Sequence, residues 1–263
     1  MLTRIFVGLL LIPIVIAVLV TGGLSLRITL GLVSALALWE IQRAVFPEKT
    51  IINWLGYGFI AVYYTIGLSL YFVPLLFLWI LLNLVFLVVD YKKFYYKDVF
   101  TNIMLPLYTG VSLSAAYLVW NYNPHMMWII FLSAWGSDTS AYFSGKFFGK
   151  TKLCPNLSPS KTVAGAVGGV LGGTVITGIF AFVMQTNFNA YSINVPTFVI
   201  IAFIASISAE LGDLAASAIK RQSGIKDFGN TIPGHGGFMD RFDSALFTAP
   251  VVYIAMVLMG GFV

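Results

Sequence analysis

"PTFVIIAFIASISAELGDLAASAIKR", Pro196 to Arg221, decides the class of fold. A helix needs about 20 apolar residues to cross a hydrocarbon layer about 30 Å thick, and this stretch is long enough and apolar enough to do so. Its polar residues are ordered, not scattered. Ser206, Glu210, Asp213, Ser217 and Lys220 recur at spacings of three and four, which places them on one side of a helix. Such a stripe cannot face lipid. For Ser206 and Glu210 a hydrogen-bonded seam between helices and a functional role stand equally open. Asp213 and Ser217, nearer the charged end, point to function. Asp213 precedes Lys220 by seven residues, which sets it about 10 Å below that lysine at 1.5 Å per residue.

The rest of the 263-residue chain has the same character. It is 59% hydrophobic and only 10% charged, with a mean hydropathy of +0.91, whereas soluble domains carry about 25% charged residues. Apolar runs bounded by Pro, Gly or charge fall near Ile5–Thr21, Ile28–Phe46, Ile51–Leu70, Phe72–Val89, Val99–Trp120, Met126–Gly145, Val163–Met184, Pro196–Arg221 and Ser244–Gly261. The expected fold is therefore an all-α polytopic integral membrane protein with about nine transmembrane helices. About four lie in residues 1–98 and about five in residues 99–263, with no separate soluble domain. The first run follows a basic residue but lacks a small-x-small cleavage site, so it reads as a retained helix.

Charge asymmetry orients this arrangement. With nine spans and a cytoplasmic N-terminus, the cytoplasmic side receives Arg4, Arg43, Lys49, Lys92, Lys93, Lys97, Lys146, Lys150, Lys152, Lys161, Lys220, Arg221, Lys226 and Arg241, and the opposite side only Arg27. Cytoplasmic loops retain Lys and Arg, so the C-terminus is expected on the opposite side. The pI of about 9.2 suits anionic lipid headgroups better than nucleic acid, for which no basic domain exists. The single Cys154 reads as a passive thiol.

Four carboxylates fall inside expected spans, Glu40, Asp138, Glu210 and Asp213, and all lie in the cytoplasmic halves. That placement predicts a recess open to one side, not a path through the membrane. Eight of the 25 charged side chains fall between Asp213 and Asp243. Asp240 and Asp243 share a helix face, and with Asp213 they supply oxygen ligands for a hard divalent cation such as Mg²⁺. Pairing with Lys220, Lys226 or Arg241 is the alternative. Between the aspartates, "PGHGG" contains Gly234, Gly236 and Gly237, which permit close backbone approach to a ligand and an anion-binding concavity. His235 there either contacts phosphate or makes a structural hydrogen bond.

The second polar segment, "GSDTSAYFSGKFFGKTKLCPNLSPSKT", offers Asp138, Ser158, Lys161 and Thr162. Its "GKFFGKT" is one residue too short for a nucleotide P-loop and follows an apolar helix, so that reading is rejected. "SPSKT" leads into a helix whose N-terminus favours anions. The glycines of "GAVGGVLGG" read as close helix packing. An acidic cluster, a basic glycine-rich cradle and lipid access together suggest phosphoryl or nucleotidyl transfer onto a lipid.

"SAIKRQSGIKDFGNTIPGHGGFMDRFD", Ser217 to Asp243, resembles the signature of the CDP-diacylglycerol synthases (phosphatidate cytidylyltransferases), and the "SDTSAYFSGKFFGK" and "SPSKT" segments resemble upstream parts of that family. The resemblance implies that a phosphatidate oxygen attacks the α-phosphorus of CTP, yielding CDP-diacylglycerol and pyrophosphate at the cytosolic face of the cell membrane. It further implies Mg²⁺ with a second cation, and a homodimer. Asp213, Asp240 and Asp243 are expected to hold metal. Lys220, Arg221, Lys226 and Arg241 would neutralise phosphate charge, with Asp227 and His235 also in the reacting site. Asp138, Ser158, Lys161, Thr162, Ser217, Gly234, Gly236 and Gly237 would bind substrate. One departure stands out: family members commonly continue from "SPSKT" with Trp-Glu, whereas this chain has Val163-Ala164. The rivals are a CTP-dependent membrane lipid kinase, such as a polyprenol kinase, which would release CDP, and an anion transporter, for which no internal repeat is visible.

Overall fold

A computed structural model of the chain describes residues 13–46, 51–68, 71–188, 194–232 and 236–259. The chain is a helical protein, and its elements divide into two compact units. One comprises Met1–Ser114 and Asp227–Arg241, the other Ala115–Lys226 and Phe242–Val263.

Among the described residues six helical stretches are long and apolar enough to cross a membrane: Gly23–Val45, Phe72–Val89, Tyr96–Tyr122, Val163–Asn187, Val195–Gln222 and Met239–Leu258. They correspond to the second, fourth, fifth, seventh, eighth and ninth expected spans. Of the first, only residues 13–21 are described, and they are helical. The third is a short helix, Ile51–Val62, followed by the π-turn Tyr63–Gly67. The sixth is the helix Met127–Phe148, whose hydropathy is lowered by Asp138, Lys146 and five Ser or Thr residues.

In the first unit, α1 (Gly23–Val45) begins after Gly22, whose φ of 57° and ψ of −147° only glycine adopts without strain. It buries Leu26, Leu30, Val33, Ala37, Leu38 and Ile41, the period of one helical stripe. Helix α2 (Ile51–Val62) packs beside it at Gly56, where a Cβ would lie 3.1 Å from Leu38, and the π-turn that follows sets the Tyr64 ring 3.3 Å from a Cβ on Gly31. The Tyr64 hydroxyl sits 3.0 Å from Ser34 Oγ and donates to the Gly110 carbonyl at 3.0 Å. Arg27 donates to the carbonyls of Tyr64 and Thr65, groups that a helix end leaves without intrahelical partners. Helix α3 (Phe72–Val89) meets α4 (Tyr96–Pro106) through Asn83 Oδ1, which accepts from Asn102 Nδ2 at 2.8 Å in a buried site. Pro106 then interrupts the helical ladder, because it lacks an N–H and crowds the preceding turn. The chain absorbs this with the π-turn Leu107–Val111 before α5 (Ser112–Tyr122).

The second unit is built on α6 (Met127–Phe148), α7 (Val163–Asn187) and α8 (Val195–Gln222), with most of α9 (Met239–Leu258). Helix α7 buries Gly165, Gly169, Gly173, Thr177 and Ala181, a strict four-residue stripe of small side chains. A Cβ on Gly173 would lie 3.0 Å from the Ser133 carbonyl oxygen and 3.2 Å from the Ser137 nitrogen of α6, so the two backbones touch as the glycine-rich sequence predicts. Between α6 and α7 the chain makes an antiparallel hairpin of β1 (Lys152–Cys154) and β2 (Ser158–Thr162), pairing Lys152 with Thr162 and Cys154 with Ser158. This hairpin and an isolated bridge between Ile232 and Gly236 are the departures from helical pairing among the described residues. Thr162 ends β2 and caps α7, its Oγ1 accepting from Gly165 N at 3.0 Å.

Candidate functional site

The second unit contains a cavity of about 390 Å³ where the C-terminal part of α6, the hairpin, the start of α7 and the last turns of α8 converge. Of the residues singled out from sequence, Asp138, Lys161, Thr162, Glu210 and Asp213 line it, together with Lys146, Lys152 and Ser160. Lys161 reaches from the hairpin to α8, with Nζ 2.6 Å from Asp213 Oδ2 and 2.9 Å from Glu210 Oε2. Burial opposes the charge on Lys161, but Asp213 and then Glu210 outweigh it, so its pKa stands above the ordinary 10.5. Ser137 Oγ donates to the other oxygen of Glu210 at 3.3 Å, and a Cβ on Gly169 would fall 2.6 Å from that same oxygen. The glycine stripe of α7 thus makes room for the carboxylate as well as for α6. Glu210 thus sits in the expected interhelical seam, and its side chain also lines the cavity.

Asp243 is buried in the same unit, at 7% exposure. Its Oδ1 accepts from the backbone N–H of Ser244 at 2.7 Å and from that residue's hydroxyl at 3.2 Å. Helices α8 and α9 cross closely there, since a Cβ on Gly212 would lie 2.9 Å from the Asp243 carbonyl oxygen. Asp213 and Asp138 act on Asp243 as like charges and Lys220 as an opposite one. Oxygen donors that repel one another suit a hard cation. Among the described residues no three His, Cys, Asp or Glu side chains converge as a ready metal cluster, so a cation here would complete its shell with water and phosphate, as Mg²⁺ commonly does. Arg221 Nε donates to the Leu157 carbonyl in the hairpin turn at 3.4 Å, Ser217 is half-buried on α8, and Ser158 is half-buried in β2.

The glycine-rich segment belongs to the first unit. Asp240 Oδ2 accepts from Phe228 N at 2.9 Å and Gly237 N at 3.2 Å, tying both backbone positions to the start of α9. Gly236, with φ 82°, occupies the left-handed region and bridges to Ile232. Gly237 packs against Glu40 of α1. Lys226, Asp227 and Arg241 are exposed, while Gly234 and His235 lie outside the described residues. Lys146 and Lys152 went unrecognised as cavity residues because a lysine at a helix end or in a loop also serves as a topology signal.

The sequence model of the cytidylyltransferase family matches residues 2–259. Curated relatives named phosphatidate cytidylyltransferase are similar to this chain. The one from Thermotoga maritima is 37% identical over 168 residues, 64% of this chain and 58% of the relative. That from Bacillus subtilis is 36% identical over 182 residues, 68% and 66% respectively. That from Staphylococcus haemolyticus is 34% identical over 172 residues, 65% and 64%. The match spans less than two thirds of the length of each, from 58% to 66%.

Proposed function

This chain belongs to the cytidylyltransferase family, and from that premise we propose that it transfers CMP from CTP to phosphatidic acid, giving CDP-diacylglycerol and pyrophosphate. The observation that carries the proposal is the Lys161 ammonium held between Glu210 and Asp213 in a cavity that Lys146, Lys152 and Asp138 also line. Such a cavity offers positive charge to a polyphosphate and carboxylates to a counter-cation within one compact unit.

A phosphate monoester has its second pKa near 6, so the lipid phosphate is already a nucleophile and needs little general-base help. Its oxygen forms a new bond to the α-phosphorus of CTP, the bond from that phosphorus to the β-phosphate bridge breaks, and pyrophosphate leaves with the electron pair. Catalysis then rests on positioning and charge neutralisation. Lys161, Lys146 and Lys152 neutralise nucleotide phosphates. Lys220, Arg221, Lys226 and Arg241 carry the same role for lipid phosphate and leaving pyrophosphate, on the strength of the sequence signature. Ser158, Ser217 and Thr162 orient substrate, Thr162 through the capped start of α7. Asp213 and Asp243 would hold Mg²⁺, which would supply charge neutralisation for the transferring phosphoryl group. Asp240, Asp227, His235, Gly234 and a second cation enter on the signature alone. The charge asymmetry supports a cytoplasmic N-terminus, nine spans and a cytosol-facing site in the cell membrane, and the resemblance supports a homodimer.

The test is incubation of the detergent-purified protein with CTP, phosphatidic acid and Mg²⁺, scoring CDP-diacylglycerol and pyrophosphate. Release of CDP with a phosphorylated lipid alcohol would establish a lipid kinase instead. No metal-dependent pyrophosphate from folded protein would reject the proposal.

A further inference from the structure

Glu40, near the end of α1, is fully buried, and its carboxylate is met by backbone of the first unit's loop. Oε2 accepts from Met239 N at 2.7 Å, and Oε1 accepts from Phe238 N at 3.0 Å and from the Thr231 hydroxyl. Met239 opens α9, so these are N–H groups that a helix start leaves without intrahelical acceptors, and a carboxylate there also meets the positive end of the helix dipole. Glycine makes this approach possible. A Cβ on Gly229 would lie 2.8 Å from Glu40 Oε1, and one on Gly237 would collide with the carboxylate. Among the described residues no cation pairs with Glu40; the loop satisfies it.

We propose that Glu40 is a positioning residue: its carboxylate, about 190 residues away in sequence, sets the conformation of the loop that leads into Asp240. The two loop anchors are adjacent. Glu40 fixes the N–H groups of residues 238 and 239, while Asp240 fixes those of residues 228 and 237. Loss of the first anchor frees the segment whose geometry orients the second. An open lipid-facing groove would not need a buried carboxylate, and a purely packing role would be met by an apolar side chain at far lower cost. The consequence for turnover rests on the transferase reading; the consequence for the loop does not.

The experiment compares wild type, Glu40→Gln, Glu40→Asp and Thr231→Val by hydrogen exchange at the amides of Phe238 and Met239 and by steady-state transfer. Glu40→Gln places an amide N–H₂ against backbone N–H donors, and the exchange there should accelerate about tenfold or more as the local anchor is lost. Turnover should fall about a hundredfold, the scale of a small misplacement of reacting groups, at unchanged KM for phosphatidic acid. Glu40→Asp should recover part of both, and Thr231→Val, which keeps the carboxylate, should shift both mildly if Glu40→Gln does not fold. Exchange within twofold of wild type in Glu40→Gln overturns the proposal. So does accelerated exchange with undiminished turnover, because the anchored loop would then not position the reacting groups. A wild type without transfer activity, but with exchange that accelerates on substitution, rejects the transferase reading and supports the loop assignment.

Discussion

Lys161 Nζ lies 2.6 Å from Asp213 Oδ2, joining the hairpin that precedes α7 to the polar face of α8. Glu210, three residues earlier on that face, holds the same ammonium at 2.9 Å. One cation thus serves two carboxylates that would otherwise face each other across less than a helical turn. Replacing it by Lys161→Met should destabilise the protein by about 1–3 kcal/mol, less than for a fully buried pair because Asp213 is 28% exposed. Transfer should fall about a hundredfold through lost neutralisation of nucleotide phosphate. Thermal unfolding in detergent and a CTP titration read the two effects separately. Wild-type activity in the variant would remove Lys161 from the site.

The same ion pair has a defined pH range. The folded-state pKa of Lys161 is raised above the ordinary 10.5, so its contribution is complete below that value and is lost only as pH climbs through the raised one. The stability difference between wild type and Lys161→Met should therefore stay constant between about pH 7 and 9. A difference that shrinks across that range would show that Lys161 titrates early and is not held by the two carboxylates.

Much of this is legible in the sequence. The stripe from Ser206 to Lys220 reports its own helix, and the spacing of Glu210 and Asp213 already put both on one face. The span Phe72–Val89 is bounded to the residue, because an apolar run broken only by Pro74 and Asn83 and free of charge has no competing reading. Interruptions caused the differences. Tyr63–Gly67 and Leu107–Val111 are π-turns, the second following Pro106, and neither disturbs hydropathy. The hairpin strands, three and five residues long, are too short to show alternation. Glu40 was visible as a costly charge in a membrane helix, but its partners lie about 190 residues onward, and no local pattern encodes that pairing.

Gly169 should tolerate no side chain. A methyl there would sit 2.6 Å from Glu210 Oε1 and 3.0 Å from both Ser137 Oγ and the Ala141 Cβ. Gly169→Ala should cost about 1–3 kcal/mol by overpacking and should lower transfer by displacing Glu210 from Lys161. Gly58→Ala is the control, since nothing lies within 4 Å of the new methyl. There, alanine's preference for the helix should leave stability unchanged or raise it by up to about 1 kcal/mol. Equal thermal shifts for the two variants would refute the close approach of α7 to the Glu210 carboxylate.

Asp243 separates stability from activity most sharply. It is buried among like charges from Asp213 and Asp138, with Lys220 as the counter-charge. Its Oδ1 accepts both the N–H and the hydroxyl of Ser244, contacts an asparagine carbonyl oxygen can also accept. Asp243→Asn therefore keeps the local hydrogen bonds and removes a repelled, desolvated charge, so its thermal stability without metal should equal or exceed that of wild type. The proposed cation loses an anionic ligand at the same time. Transfer should fall by at least about a hundredfold, and Mn²⁺ used as a spectroscopic substitute should bind more weakly, independently of turnover. A variant that is more stable and inactive identifies a carboxylate retained for chemistry at a cost in folding. A variant that is less stable and fully active would assign Asp243 to the packing of α8 against α9 and remove it from the metal site.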